Sequence, residues 1–133
     1  MISKEVAVGD LERFLQAFKV DPIKIKKIGD TLAKCEELIC NEMLIVTEDG
    51  HFEYPLIEPI VDDNQNIKLA VLKFKNRRVR VEDVEKMNSG SDTDKMKRLI
   101  SILTGVEPAF VNKFSLDDLT YLSDVSLLFL PAQ

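Results

Sequence analysis

The residues of this chain whose chemistry could support catalysis or metal binding are few: one histidine, His51, two cysteines, Cys35 and Cys40, and adjacent acids such as Glu36-Glu37, Asp62-Asp63 and Asp117-Asp118. General acid–base work by His51 needs an oriented partner within hydrogen-bond reach. Its neighbours Gly50, Phe52 and Glu53 suggest a turn or strand edge instead. Five residues of helix turn two side chains about 140° apart, so Cys35 and Cys40 fit neither a redox pair nor a zinc knuckle. Buried or half-buried thiols in a reducing compartment are expected. Adjacent acids diverge by about 100° on a helix or face opposite sides of a strand. That spacing suits solvated surface, with Asp117 and Asp118 complementing a helix dipole. The run Asp62-Asp63-Asn64-Gln65-Asn66 opens like a calcium loop but lacks the glycine and glutamate such a loop places later. With no Gly-rich phosphate loop and no G-x-S-x-G, the reading is of a protein without enzymatic activity, cofactor or metal.

Binding is the chemistry these residues offer. Lys68, Lys73, Lys75, Arg77, Arg78 and Arg80 are six cations with no acid among residues 67–80. They suit a solvated edge strand guarded against pairing. They equally suit a docking strip for an acidic client or for residues 1–60 of a neighbouring subunit. Single-strand RNA binders interleave stacking aromatics, and Phe74 stands alone in this run. At the other end, Leu127-Leu128-Phe129-Leu130 cannot all face one core from a single helix. Either N-terminal helices of the same chain cover the excess, or a subunit or client does. The candidate protein interface is therefore Lys73, Lys75, Arg77, Arg78 and Arg80 together with Leu127, Leu128, Phe129 and Leu130.

The elements that would position these residues follow from periodicity. Asp10 before Leu11, Phe14, Leu15 and Phe18 predicts a helix over 11–19, and Asp21-Pro22 opens a short one that runs to Gly29. Leu32, Cys35, Leu38 and Ile39 form one face of a helix from Asp30 to about Met43. Residues 44–47 and 51–54 flank the turn Glu48-Asp49-Gly50 as a small hairpin. Pro55 and Pro59 make the next segment an edge strand or connector. Ile60-Val61 and residues 67–74 are the arms of a second hairpin. Val84 and Met87 mark a helix, Asn88–Ser91 a loop, and Met96, Leu99, Ile100 and Leu103 a helix ending at Gly105. Ser115 caps a last helix whose apolar face, Leu116, Leu119, Leu122, Val125 and Phe129, runs to Pro131.

The 133 residues, 45% apolar and 31% charged, suit one domain with a packed core. The net charge of −5 argues against general attraction to nucleic acid or to an anionic membrane. Its source is the N-terminal part: residues 1–60 hold seven Lys/Arg against twelve Asp/Glu, and residues 61–133 hold eleven of each. The Met1–Glu5 start lacks a secretion-signal layout and no long apolar run follows, so a cytoplasmic protein is expected. The fold class is α+β, mostly helical, with one or two small antiparallel hairpins packed on four to five helices. A mainly helical region at 1–55 would precede a hairpin-plus-helices region at 56–133.

In the order of these features, residues 56–130 resemble the Mu-type tail assembly chaperones of tailed bacteriophages. The matching stretches are Pro59-Ile60-Val61-Asp62 with Ile67 onward, Arg77 through Asp83-Val84, Leu103-Thr104-Gly105, and Ser115 through Asp118-Leu119. The family usually has a glycine in the hairpin turn and a proline after the basic strand exit, where this chain has Asp63-Asn64 and Val79. The resemblance implies a homo-oligomeric host-cytoplasmic protein, absent from the finished virion, that coats the tape measure protein and keeps it soluble. It also implies contact of a frameshifted longer product with the tail tube protein. The alternative is a cytoplasmic adaptor or antitoxin-like regulatory protein that holds one folded partner.

Overall fold

The computed structural model describes residues 1–131. Helix α1 spans Lys4–Ala17 and starts a full turn and more before Asp10, because Ser3 is extended and its hydroxyl accepts from the Val6 amide at 3.2 Å. The residues between, Val6-Ala7-Val8-Gly9, include poor helix formers. Burial of Ala7 in the core outweighs their propensity. Asp10 lies inside the helix, ion-paired to Arg13 at 3.1 Å, rather than capping it. α2 (Pro22–Lys27) is capped as expected by Asp21, whose carboxylate accepts from Ile23 N at 2.8 Å. α3 (Gly29–Cys40) buries Cys35, Leu38 and Ile39.

One three-stranded antiparallel sheet follows, β1 (Ile45–Val46), β2 (Phe52–Val61) and β3 (Ile67–Lys73), in the order β1-β2-β3. The first hairpin is clamped to α1: the Arg13 guanidinium donates to the carbonyls of Thr47 at 2.9 Å and Val46 at 2.8 Å. At its tip Gly50 has φ +80°, and a Cβ there would stand 2.5 Å from Ala17 Cβ and 2.7 Å from the Arg13 carbonyl oxygen. Only glycine allows this approach. In the second turn the Asp62 carboxylate accepts from the amides of Asn64 and Asn66, both at 2.9 Å, while Gln65 takes the left-handed conformation.

Pro55 and Pro59 lie inside the central strand, not in an edge strand or connector. Two features make this possible. β1 covers only Phe52 and Glu53, so the rest of that flank of β2 is open. Between the pairs Pro55↔Val71 and Ile60↔Leu69, β2 also advances five residues while β3 advances two. The prolines bracket this bulge, where no ladder amide is demanded of them.

The C-terminal half adds α4 (Val81–Met87), α5 (Asp92–Thr104), α6 (Pro108–Val111), α7 (Leu116–Ser126) and a 3₁₀ turn, Leu127–Phe129. The expected face of α4 is corrected: Val84 is exposed, and Asp83 is buried in its place. α5 ends on Gly105 at φ 74°, as the sequence indicates, and begins at a Ser91–Asp94 capping box that the loop reading of Asn88–Ser91 does not anticipate. α7 ends at Ser126, short of Pro131, and its Leu116 faces solvent. The four-residue α6 was not expected from periodicity.

The whole is a mostly helical α+β architecture on one apolar core that runs from Ala7 to Phe129. The 55/56 boundary falls within β2, and residues of both regions share that core. Its centre is aromatic. Phe14 stacks on Phe52 at 4.1 Å between ring centroids, and Phe129 lies 5.0 Å from Phe18, 5.4 Å from Phe14 and 5.6 Å from Phe74. Truncation to Phe129→Ala removes the ring that joins α1, the sheet and the C-terminus. Urea denaturation is expected to show a loss of about 3–5 kcal/mol; a loss under about 1 kcal/mol would mean the ring is not part of the core.

Candidate functional site

The basic run does not form a single strip. Lys73, in exposed β3 sequence, pairs in register with Glu53. Lys75 is exposed, and its amide donates to the Leu103 carbonyl at 2.8 Å. Arg77 makes a two-pronged contact with the buried carboxylate of Asp83, at 2.9 and 3.2 Å. Arg78 donates to the carbonyls of Phe18 at 2.8 Å and Lys19 at 2.9 Å, and its guanidinium lies 4.7 Å from the centroid of the Phe18 ring. It thereby caps the C-terminus of α1, which has no base in its own last turn. Arg80 is exposed, 4.0 Å from Glu82. Arg77 is thus an internal tie, Arg78 is tied to the end of α1 yet stays exposed, and Lys73, Lys75 and Arg80 point outward without such a tie.

The apolar C-terminal stretch divides similarly. Leu128 and Phe129 are core side chains, Leu130 is half-buried, and Leu127 is exposed. The N-terminal helices of the same chain supply the cover, Phe129 packing on Phe14 and Phe18. As an outward-facing interface this stretch reduces to Leu127 and the edge of Leu130, since Leu128 and Phe129 are inaccessible while the core is closed.

A polar cluster that the sequence reading assigned to solvent is buried. The Asp118 side chain has no exposure and accepts from Tyr54 Oη at 2.7 Å, Ile57 N at 2.9 Å, Glu58 N at 3.2 Å and Ser115 Oγ at 3.0 Å. The two amides belong to the β2 bulge. Burial, followed by this hydrogen bond to Asp118, raises the Tyr54 hydroxyl well above its ordinary value. With every lone-pair direction occupied from within the chain, the cluster is a structural latch and not an acid–base pair.

The residues that could accept a ligand meet in a cleft between α2 and the strand exit at Arg78-Val79. Its volume is about 330 Å³, and Phe18, Val20, Ile23, Lys24, Lys27 and Arg78 contribute to its walls along with Phe129. Arg78 and Phe129 were singled out from the sequence; Lys24 and Lys27 were not. The sequence signal for them is the Lys24, Lys26 and Lys27 triplet of α2, which the apolar pattern of that helix does not register. The Lys24 ammonium donates to the Leu128 carbonyl, and burial, then the nearby Arg78 charge, lower its pKa to about 8. Asp21 also borders the cleft, its carboxylate turned to Ile23 N.

His51 is exposed in the first hairpin, with no hydrogen bond from its ring among the described residues. Cys35 is buried and Cys40 half-buried; burial, chiefly, pushes the Cys35 thiol up to about 12. Among the described residues no three His, Cys, Asp or Glu side chains converge as metal ligands, and no helix is long and apolar enough to cross a membrane. No protein-family model matches the chain, and neither a curated protein nor a solved structure shows significant similarity to it.

Two measurements check this geometry. Asp118→Ala removes the acceptor of three β2 donors, the buried Tyr54 hydroxyl and the part-buried Ile57 and Glu58 amides. Since a stranded buried donor costs about 1–3 kcal/mol, chemical denaturation is expected to show a loss of about 2–4 kcal/mol, with Tyr54→Phe costing about 2 kcal/mol. Wild-type stability in Asp118→Ala would place the carboxylate in solvent. Asp83 is held below the usual carboxylate range, chiefly by the Arg77 guanidinium and then by the Arg80 amide. A depressed acid stabilises the fold above its unfolded pKa and loses that contribution as pH falls through the folded value. Thermal midpoints are therefore expected to decline below about pH 4, and less steeply in Asp83→Asn; parallel profiles would count against the Arg77–Asp83 tie.

Proposed function

We propose that this chain is a tail assembly chaperone of a tailed bacteriophage, acting in the host cytoplasm to bind the tape measure protein and keep it soluble. The observation that carries the reading is the order of features over residues 56–130: a hairpin with a polar turn, a basic exit, a short acidic-start helix, a helix ending at Leu103-Thr104-Gly105, and a last helix opened by Ser115. The geometry contributes surfaces suited to a binder rather than a catalyst. Its hydrogen-bonded acids are committed to the fold, whereas Lys73, Lys75 and Arg80 point outward and a cation-lined cleft stands open beside α2. A frameshifted longer product would extend the same body toward the tail tube protein, and self-association would cover Leu127 and the sheet's exposed apolar residues until the client arrives.

One observation favours the adaptor reading. With Leu128 and Phe129 buried, the C-terminal end offers less apolar surface than a long, coated client calls for. A discrete cleft is of a size to hold one segment of one partner.

Co-expression with a long, coiled-coil-like protein encoded just downstream, which the chaperone reading requires, separates the two. The chaperone reading expects the otherwise insoluble long protein to co-elute with this chain in size-exclusion chromatography with light scattering, and to be lost when Lys73, Lys75 and Arg80 are changed to Glu together. An inert monomer that leaves the long protein insoluble would overturn it in favour of the adaptor.

A further inference from the structure

We propose that the cleft between α2 and the strand exit at Arg78 binds a partner's peptide segment that carries an acidic side chain beside apolar ones. The carboxylate would sit between Lys24 and Arg78, and its apolar neighbour against Phe18, Val20 and Ile23. This deepens the reading of the chain as a protein-binding chaperone or adaptor by naming the chemistry the site selects.

Charge supplies the first reason. Lys24, Lys27 and Arg78 face one cleft, and none of the three makes an ion pair among the described residues. Other cations such as Lys73, Lys75 and Lys113 also lack an acidic partner, but they stand on open surface, whereas Lys24, Lys27 and Arg78 converge on one cleft. The nearest acid in the wall, Asp21, is spent on capping α2 through Ile23 N. The Arg78 charge adds to burial, the larger cause, in disfavouring the Lys24 ammonium, a repulsion that an incoming carboxylate relieves.

The second reason is shape. Phe18, Val20 and Phe129 form an apolar floor whose own side chains are nearly buried, while Ile23 at the rim is 65% exposed. A small inorganic anion would leave Ile23 and the uncovered edge of that floor wet. An acidic residue followed by a leucine-like one covers both parts.

The cations are also held in place, which lowers the ordering cost of binding. Arg78 is fixed by the Phe18 and Lys19 carbonyls and Lys24 by the Leu128 carbonyl. Lys27 has no such tie among the described residues and can be replaced without touching the core.

The test uses the full chain and an acetylated, amidated helical peptide of leucine and glutamate, with its glutamine and lysine counterparts as controls. Fluorescence anisotropy and backbone amide NMR shifts report binding and its place. The expected result is that the glutamate peptide binds at low salt, shifts the amides around Phe18–Lys27 and Arg78-Val79, and weakens on the order of tenfold both in the glutamine form and in the Lys24→Gln/Lys27→Gln chain. Lys27→Gln alone, which leaves the Lys24 and Arg78 ties intact, should weaken binding with an unchanged melting temperature. Equal affinity for glutamate and glutamine peptides, shifts confined to another face, or no binding at all would overturn the proposal. So would a dimer of the free chain that Lys27→Gln dissolves, which would assign the cleft to a second copy. Failure here with tape measure co-elution intact would sink the cleft and leave the chaperone reading standing; peptide binding without co-elution would do the reverse.

Discussion

A carboxylate sealed from water must be surrounded by donors, and the way Asp118 meets that demand organises the rest of this fold. Its oxygens accept from Tyr54 Oη, Ile57 N and Glu58 N, all on β2, and from Ser115 Oγ at the start of its own helix. The arrangement works only because β2 bulges there. A regular strand would have pointed the successive Ile57 and Glu58 amides to opposite edges, where one carboxylate could not accept from both, and Pro55 and Pro59 on either side offer no amide to compete. The last helix is thereby docked on the sheet at a set position. The chain that leaves that helix, Leu127 to Phe129, is delivered into the core from there.

What receives it is the aromatic centre. Phe14 and Phe18 come from α1, Phe52 and Phe74 from the sheet and its exit, and Phe129 closes on all four at 5.0–6.3 Å between centroids. Several such contacts in one apolar volume make the two termini of the chain mutually dependent. They also explain the cleft. Once Phe129 lies beside Phe18, Arg78 can reach the open carbonyls at the end of α1 and Lys24 the carbonyl of Leu128. Each cation is placed by a backbone carbonyl and not by an acid, so its charge is left directed at the space between α2 and the strand exit. The candidate binding site is thus a consequence of how two helix ends are finished.

Much of the local structure was legible in the residues. Asp21-Pro22, Gly105 and Ser115 act where their chemistry says they should, because a cap is a contact between residues two to four apart. The second hairpin followed from a polar turn between β-branched arms. Other features were hidden. The first helix starts at Ser3 because Ala7 finds a place in the core. The face of α4 buries Asp83 and exposes Val84 because Arg77, six residues upstream, folds back onto the carboxylate. The prolines of β2 looked like the end of a sheet and turned out to frame its bulge.

Local pattern by itself determined most of the kinds of element, several of their caps and the polar turns, since each of these depends on side-chain type and near neighbours. Tertiary structure alone decided which charges are spent and which are free. Arg77, Arg78 and Arg80 are nearly indistinguishable in the sequence, yet one neutralises a buried acid, one finishes a helix sixty residues away, and one faces solvent. It likewise decided that Asp118 is a latch while its neighbour Asp117 stays exposed. The physical reason is the same in each case: the free energy of a charge is set by the donors, acceptors and water that the fold brings to it, and those partners are remote in the chain.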